Sequence, residues 1–355
     1  MTSQLKTLNL KLKTNNMPVF YKNLIQQELI DTHIHLGAAV PPYTLWEIAK
    51  VQGFKLPVST YWDFWQMITV DKNKTGTLSE YLNVLHNWTE KIQSSPLAME
   101  MSVYMALTKQ YRKSNVKTCE LRFNPLKRNQ GGEIDVDHVI QAAIRGMDRA
   151  VLDYGLQVGL IFCLGREFNL EKNRVITQKA IKYASRGVVG LDVAGDENLA
   201  LENSVEAEEY HKLFVQARSN GLSLTLHCGE IPTVTEERLN KILDLFTPQR
   251  IGHGIQLTRF PMLMKKMADR QLVLEICPSS NLATGAVKDW NDLKERVQLL
   301  LENGVKLSLN TDGPYVLQTT LAQEIASVLQ HKVMTMSQVE EAQKVARQTS
   351  FLTRI

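Results

Sequence analysis

Eight short runs rich in Val, Ile and Leu recur along the chain, each followed by a polar or helix-patterned stretch, and this alternation limits the available folds more than any other feature. The runs are "ELIDTHIH" (28–35), "VKTCELRF" (116–123), "QVGLIFCL" (157–164), "GVVGLDV" (187–193), "LSLTLHC" (222–228), "RIGHG" (250–254), "LVLEICP" (272–278) and "VKLSLNT" (305–311). Between most of them lie helical patterns such as "DHVIQAAIRGMDRAVLDYG" and "SVEAEEYHKLFVQARSNG", closed by a Gly where a helix C-cap belongs. Eight strands joined by crossover helices predict an α/β fold of the (β/α)8 barrel type, one domain over 1–355. An open doubly wound sheet would carry a Gly-rich turn after its first strand, and "HIHLGAAVPP" has none. The spacing breaks once, at 38–115, where helical patterns predict an insertion over the barrel mouth. Its aromatic cluster "YWDFWQMI" makes Trp62 and Trp65 weak site candidates, since such clusters more often pack locally. Residues 1–27 read as a short strand or N-terminal arm.

Charge argues against a nucleic-acid partner, because 41 basic and 37 acidic residues are interspersed rather than gathered into a basic face. No window has the apolar length to cross a bilayer, and the N-terminus lacks the continuous apolar core of a secretory signal. Cys119, Cys163, Cys228 and Cys277 form no Cys-x-x-Cys pair and lie in or beside apolar runs. They read as reduced, buried thiols of a cytoplasmic protein.

The polar outliers sit at matching places on this map. His33 and His35 end the first strand and point to one side, because strand side chains alternate. His227 ends the fifth strand, His253 the sixth, and Asp312 follows the eighth. In a barrel these C-terminal ends converge on one mouth, where catalytic groups gather. Imidazoles with a carboxylate suit Zn²⁺ or a similar ion. Glu230, three residues past His227, lies beside such a metal as a natural proton donor.

"HIHLG", "GLDVAGDE", "HCGE", "RIGHG", "EICPSSNLATG" and "SLNTDGP" together resemble the adenosine deaminase family of the amidohydrolase superfamily, in the family's order. The resemblance implies one zinc ion per chain held by His33, His35, His227 and Asp312. It implies Glu230 as proton donor to a ring nitrogen, His253 as the residue that orients and deprotonates the water, Asp312 as a further catalytic group, and Gly195 as a backbone position close to the purine. The expected partner is a small purine nucleoside.

Two positions depart from the family pattern. Members acting on adenosine commonly carry an Asp bonded to a ribose hydroxyl where this chain has Gly37, and a second Asp bonded to a purine ring nitrogen where it has Gly313. With both carboxylates gone, the sugar end is expected to lose a negative charge and to tolerate a 5′-substituent. Arg122, Lys127 and Arg128 after the second strand are candidates to meet a phosphate, against the reading of a solvated basic face. Adenosine or a close 6-aminopurine nucleoside is the leading substrate, releasing ammonia. An N6-modified adenosine monophosphate or another aminated heterocycle is the alternative, and a catalytically silent purine-binding protein a third.

Overall fold

The computed structural model describes residues 26–70, 76–130, 132–199, 201 and 205–354. Most of the expected N-terminal arm therefore lies outside the described residues. Strands β1 (Leu29–His35), β2 (Val116–Phe123), β3 (Gln157–Gly165), β4 (Val188–Ala194), β5 (Ser223–Cys228), β6 (Arg250–His253), β7 (Val273–Ile276) and β8 (Lys306–Leu309) form one parallel sheet in sequence order. Helices on one side and barrel contents on the other bury both faces of each strand, so the strands read as near-continuous apolar runs. The chain just beyond β8 returns to β1: the Asp312 amide donates to the His33 carbonyl and the His35 amide to the Asp312 carbonyl, each at 2.8 Å. The eight strands thus form a nearly closed TIM-type (β/α)8 barrel, as the alternation of runs predicts.

Local chemistry sets the element ends. Helix Val136–Tyr154 starts at Asp135, whose carboxylate accepts the Asp137 amide, and stops at Gly155 in the left-handed region at φ 61°. β7 is shorter than its apolar run because Pro278, which cannot donate to a sheet, opens helix Pro278–Ala283.

Between β1 and β2 the chain forms helices Pro42–Val51, Tyr61–Met67, Leu78–Val84 and Pro96–Ser114. Leu78–Val84 begins in a capping box made by Thr77 and Glu80 and runs through a wide π turn, Leu85–Thr89, into Glu90–Ile92. In the aromatic cluster Phe64 is buried against Trp46, with ring centroids 5.3 Å apart. Trp62 is 70% exposed, Trp65 half-buried, and neither lines the pocket at the barrel mouth, so both leave the candidate set.

The barrel interior holds charge. Arg250 on β6 is fully buried, donates to Glu275 at 2.7 Å and to the Thr349 carbonyl at 2.8 Å, and pairs with Glu120. Glu120 also accepts the Ser350 hydroxyl and the Phe351 amide, both at 2.7 Å, and so ties the C-terminal segment to the barrel. Removing this cation leaves buried Glu120 without a counter-charge and Glu275 with Arg122 as its remaining cation. Arg250→Ala should cost about 3–5 kcal/mol of folding stability, the usual result of breaking a buried pair from one side. The midpoint of chemical denaturation measures it, and a loss below about 1 kcal/mol would show that the network relaxes around the gap.

Candidate active site

His33, His35, His227, His253 and Asp312 converge at the C-terminal mouth. His35 Nε2 lies 3.1 Å from His227 Nε2 and 3.7 Å from Asp312 Oδ1, and His33 Nε2 lies 3.9 Å from the same oxygen. Gly252 makes this crowding possible, since a Cβ there would stand 3.0 Å from His33 Cε1 and 3.2 Å from His227 Cγ. His253 and Asp312 both adopt left-handed backbone, at φ 62° and 58°. Non-glycine residues enter that region at a cost, one that clusters where side chains must be aimed.

The rings of His33, His227 and His253 are held from behind. His33 Nδ1 is 2.7 Å from Glu275, and His227 Nδ1 is 3.0 Å from Asp192. Ser280 donates to Asp312 at 2.5 Å, and the Asn281 amide nitrogen stands 3.0 Å from His253 Nδ1. Glu275 and Asp192 are joined in turn by Arg122, which reaches Asp192 at 3.1 Å and Glu275 at 3.0 Å. Arg122 is thus completely buried inside the barrel, neither a solvated residue nor a phosphate contact. Arg122 lies on β2 itself, whereas Lys127 and Arg128 lie on the turn beyond it.

Ligand atoms of His33, His35 and Asp312, of His33, His227 and His253, and of His35, Asp192 and His227 form three sets, each within 4.8 Å. Asp192 backs His227 from its Nδ1 side, which makes it an orienting group. Buried His33 Nε2 has no hydrogen-bond partner among the described residues, although it points into this cluster. Burial holds His33 and His35 well below the usual imidazole pKa and His253 down at about 4. Neutral nitrogens beside a carboxylate are the donor set zinc takes.

Glu230 sits on a loop fixed by Glu197, whose carboxylate accepts the amides of Gly229, Glu230 and Ile231 at 2.5, 2.9 and 3.0 Å. Its side chain accepts from Thr284 at 3.0 Å and lies 3.6 Å from His253 Nε2. Burial, reinforced by the nearby Asp312 charge, pushes its pKa up to about 8, so it carries a proton at neutral pH.

A pocket opens over these residues, lined also by Gly37, Tyr81, Lys127, Arg128 and Gly195. Gly195 takes φ 108°, and a Cβ there would stand 2.6 Å from Glu167 Oε2. The expectation that Gly37 leaves the sugar end without negative charge is corrected by Glu90. A Cβ at 37 would stand 3.5 Å from Glu90 Oε1 and 3.4 Å from Arg128 Nη2, and these two groups pair at 3.2 Å. Burial alone would raise the Glu90 carboxyl, but Arg128, His86 and Lys127 hold it well below the usual range. Arg128 is buried as well, and Lys127 nearly so, against the reading of a solvated face.

Asp192, Glu275, Tyr81 and Glu90 were not singled out from sequence. The first two carry a signal, since each is a lone acid inside a strand whose neighbours are apolar. Cys228 is buried among core residues, in keeping with packing.

A parallel barrel whose strand ends bring histidines and an aspartate onto one buried centre, with a proton-bearing glutamate beside it, defines an amidohydrolase. The chain belongs to the adenosine deaminase family, whose model matches residues 29–354, and it is a hydrolytic deaminase acting on C–N bonds. An adenosine deaminase of Haemophilus ducreyi is 31% identical over 324 residues, covering 90% of each chain. Among solved structures, a Burkholderia ambifaria amidohydrolase with bound Zn superposes with TM-score 0.81 at 19% identity, over 95% of this chain and 90% of that one. The Arabidopsis N6-mAMP deaminase MAPDA gives 0.78 at 23%, over 93% and 95%.

The orienting carboxylates generate a test. If His227 is a metal ligand, Asp192→Asn should keep the barrel but weaken affinity for a divalent metal about 10-fold to 100-fold, the usual cost of losing a group behind a ligand. Competition with a chromophoric chelator reads this directly, and unchanged affinity would remove Asp192 from the metal's support.

Proposed function

We propose that this protein hydrolyses the C6 amine of a 6-aminopurine nucleoside such as adenosine, releasing ammonia, with one zinc ion held by His33, His35, His227 and Asp312. The observation that carries the reading is Glu230, a buried acid kept protonated 3.6 Å from His253 at the edge of the imidazole cluster. When bound, zinc lowers the pKa of a water toward neutrality.

The chain's own groups move the protons. As water adds to C6, Glu230 gives its proton to the adjacent ring nitrogen, which lets the ring accept the electron pair. His253, neutral and fixed by Asn281, takes the proton of the attacking water together with Asp312. That proton goes to the departing amine and the C–N bond breaks as ammonia leaves; the added oxygen gives up its remaining proton to become the C6 carbonyl, which returns Glu230 to its protonated form, and the ring nitrogen keeps the proton it first received. The pocket over these groups is lined by Gly37, Tyr81, Arg128 and Gly195. At its outer end Glu90 faces Arg128 and Glu167 faces Lys127, so the charges there are matched, as a neutral sugar requires.

A second reading, a 5′-monophosphate, has one specific observation behind it. Arg128 Nε and Nη1 are buried without hydrogen-bond partners among the described residues, and burial lowers its pKa despite Glu90. A guanidinium with spare donors at a pocket wall is what a phosphate uses. The Arabidopsis neighbour acts, by its name, on a monophosphate.

Glu230→Gln should keep the fold and the metal and lose about 10²-fold or more in kcat, because an amide cannot supply the proton. Near-native ammonia release by that variant would overturn the assignment. Kinetics of the zinc-loaded protein on adenosine and on adenosine 5′-monophosphate decide between the two readings. With a nucleoside substrate, adenosine has the higher kcat/KM and Arg128→Met changes the ratio little. A preference for the monophosphate that Arg128→Met abolishes would establish the second reading instead.

A further inference from the structure

The place where a side chain at position 313 would begin is already filled. A Cβ on Gly313 would lie 2.0 Å from the Tyr81 hydroxyl oxygen, 3.2 Å from Tyr81 Cζ and 2.8 Å from Ala38 Cβ. The phenol reaches this spot from helix Leu78–Val84, across the mouth from the loop after β8. Its ring packs with Ala38, Leu85, Val316 and Leu317, and the Gly313 loop is pinned beside it by the Tyr315 amide on the Ala38 carbonyl at 2.9 Å. Tyr81 is 6% exposed and lines the pocket, yet its hydroxyl has no hydrogen-bond partner among the described residues. Burying a hydroxyl without a partner is unfavourable, and packing alone would be served equally by Phe. The hydroxyl therefore awaits a group that enters the pocket.

We propose that Tyr81 is a specificity-determining residue that donates its phenolic hydrogen to a ring nitrogen of the bound base, and that Gly313 is the vacancy that admits it. This deepens the purine reading above and rests on it. Two acceptor nitrogens of a 6-aminopurine flank C6: N1 on one side and, through C5, N7 on the other. Glu230 serves N1. Tyr81 reaches the same end of the pocket from the helical cover, and N7 is the acceptor that remains. The phenol stays protonated there, since burial and the charges of Asp312 and Glu230 raise its pKa well above the usual value. A neutral O–H can only gain from an acceptor, whereas a carboxylate in that position must first carry a proton to donate.

Equilibrium dialysis of the zinc-loaded protein against inosine and 7-deazainosine, in which N7 is a C–H, tests this without catalysis. Wild type should bind inosine about 3-fold to 10-fold more tightly, the worth of one neutral hydrogen bond. Tyr81→Phe should bind both at the weaker level and unfold at the same or a higher temperature, because it removes an orphaned hydroxyl and no packing. A preference for inosine that persists in Tyr81→Phe overturns the assignment, as does equal binding of the two ligands by wild type, which would leave the purine reading standing. Failure of wild type to bind either ligand would instead remove the purine reading, and this assignment with it.

Discussion

Arg122 donates to Asp192 at 3.1 Å and to Glu275 at 3.0 Å in the middle of the barrel, and the geometry of the mouth hangs on that bridge. A lone guanidinium or a lone pair of carboxylates would be very costly there; together they offset one another, with Asp192 keeping Oδ1 for His227 and Glu275 sharing Oε2 between Arg122 and His33. Glu275 thereby fixes His33 and Asp192 fixes His227. Glu275 also meets Arg250, which continues the chain of charges down to Glu120 and the C-terminal segment. The site is thus braced by the barrel's own interior, from its open end almost to its floor.

Much of this was legible in the sequence because strand alternation and strand ends are local properties. His33 and His35 announce a shared face by their spacing, and the apolar runs at 222–228 and 250–254 carry His227 and His253 to the same rim. What was not legible depends on contacts between distant segments. The charge missing at Gly37 comes from Glu90, and the space at Gly313 is filled from Tyr81, 232 residues earlier in the chain. No pattern around either glycine reveals this, since a missing side chain leaves no trace of what occupies its place. Arg122 is hard to place for a related reason: the sequence of the turn that follows looks basic and exposed, while strand pairing sets this residue beside His35 in register.

Both compensating groups come from one helical cover, and the two glycines belong to the barrel. In the proposed reading the barrel supplies the groups that perform the chemistry, held from behind by its interior charges, and the cover supplies those that face the rest of the ligand. Selectivity in such an arrangement changes through the cover without disturbing the histidine cluster, which fits a family whose neighbours act on related but distinct adenine compounds.

The wide turn at Leu85–Thr89 determines how the cover presents its side chains. Tyr81 and Glu90 are nine positions apart, and at about 100° per residue an unbroken α-helix would set them on opposite sides. A π turn absorbs roughly one residue, which brings the pair back to within about a quarter turn of each other. The phase of this segment is therefore a coding property measured in whole residues. A one-codon deletion between Tyr81 and Glu90 that restored regular helix would keep them about a quarter turn apart, whereas regular helix at the present length would swing one group away from the ligand while the other stayed.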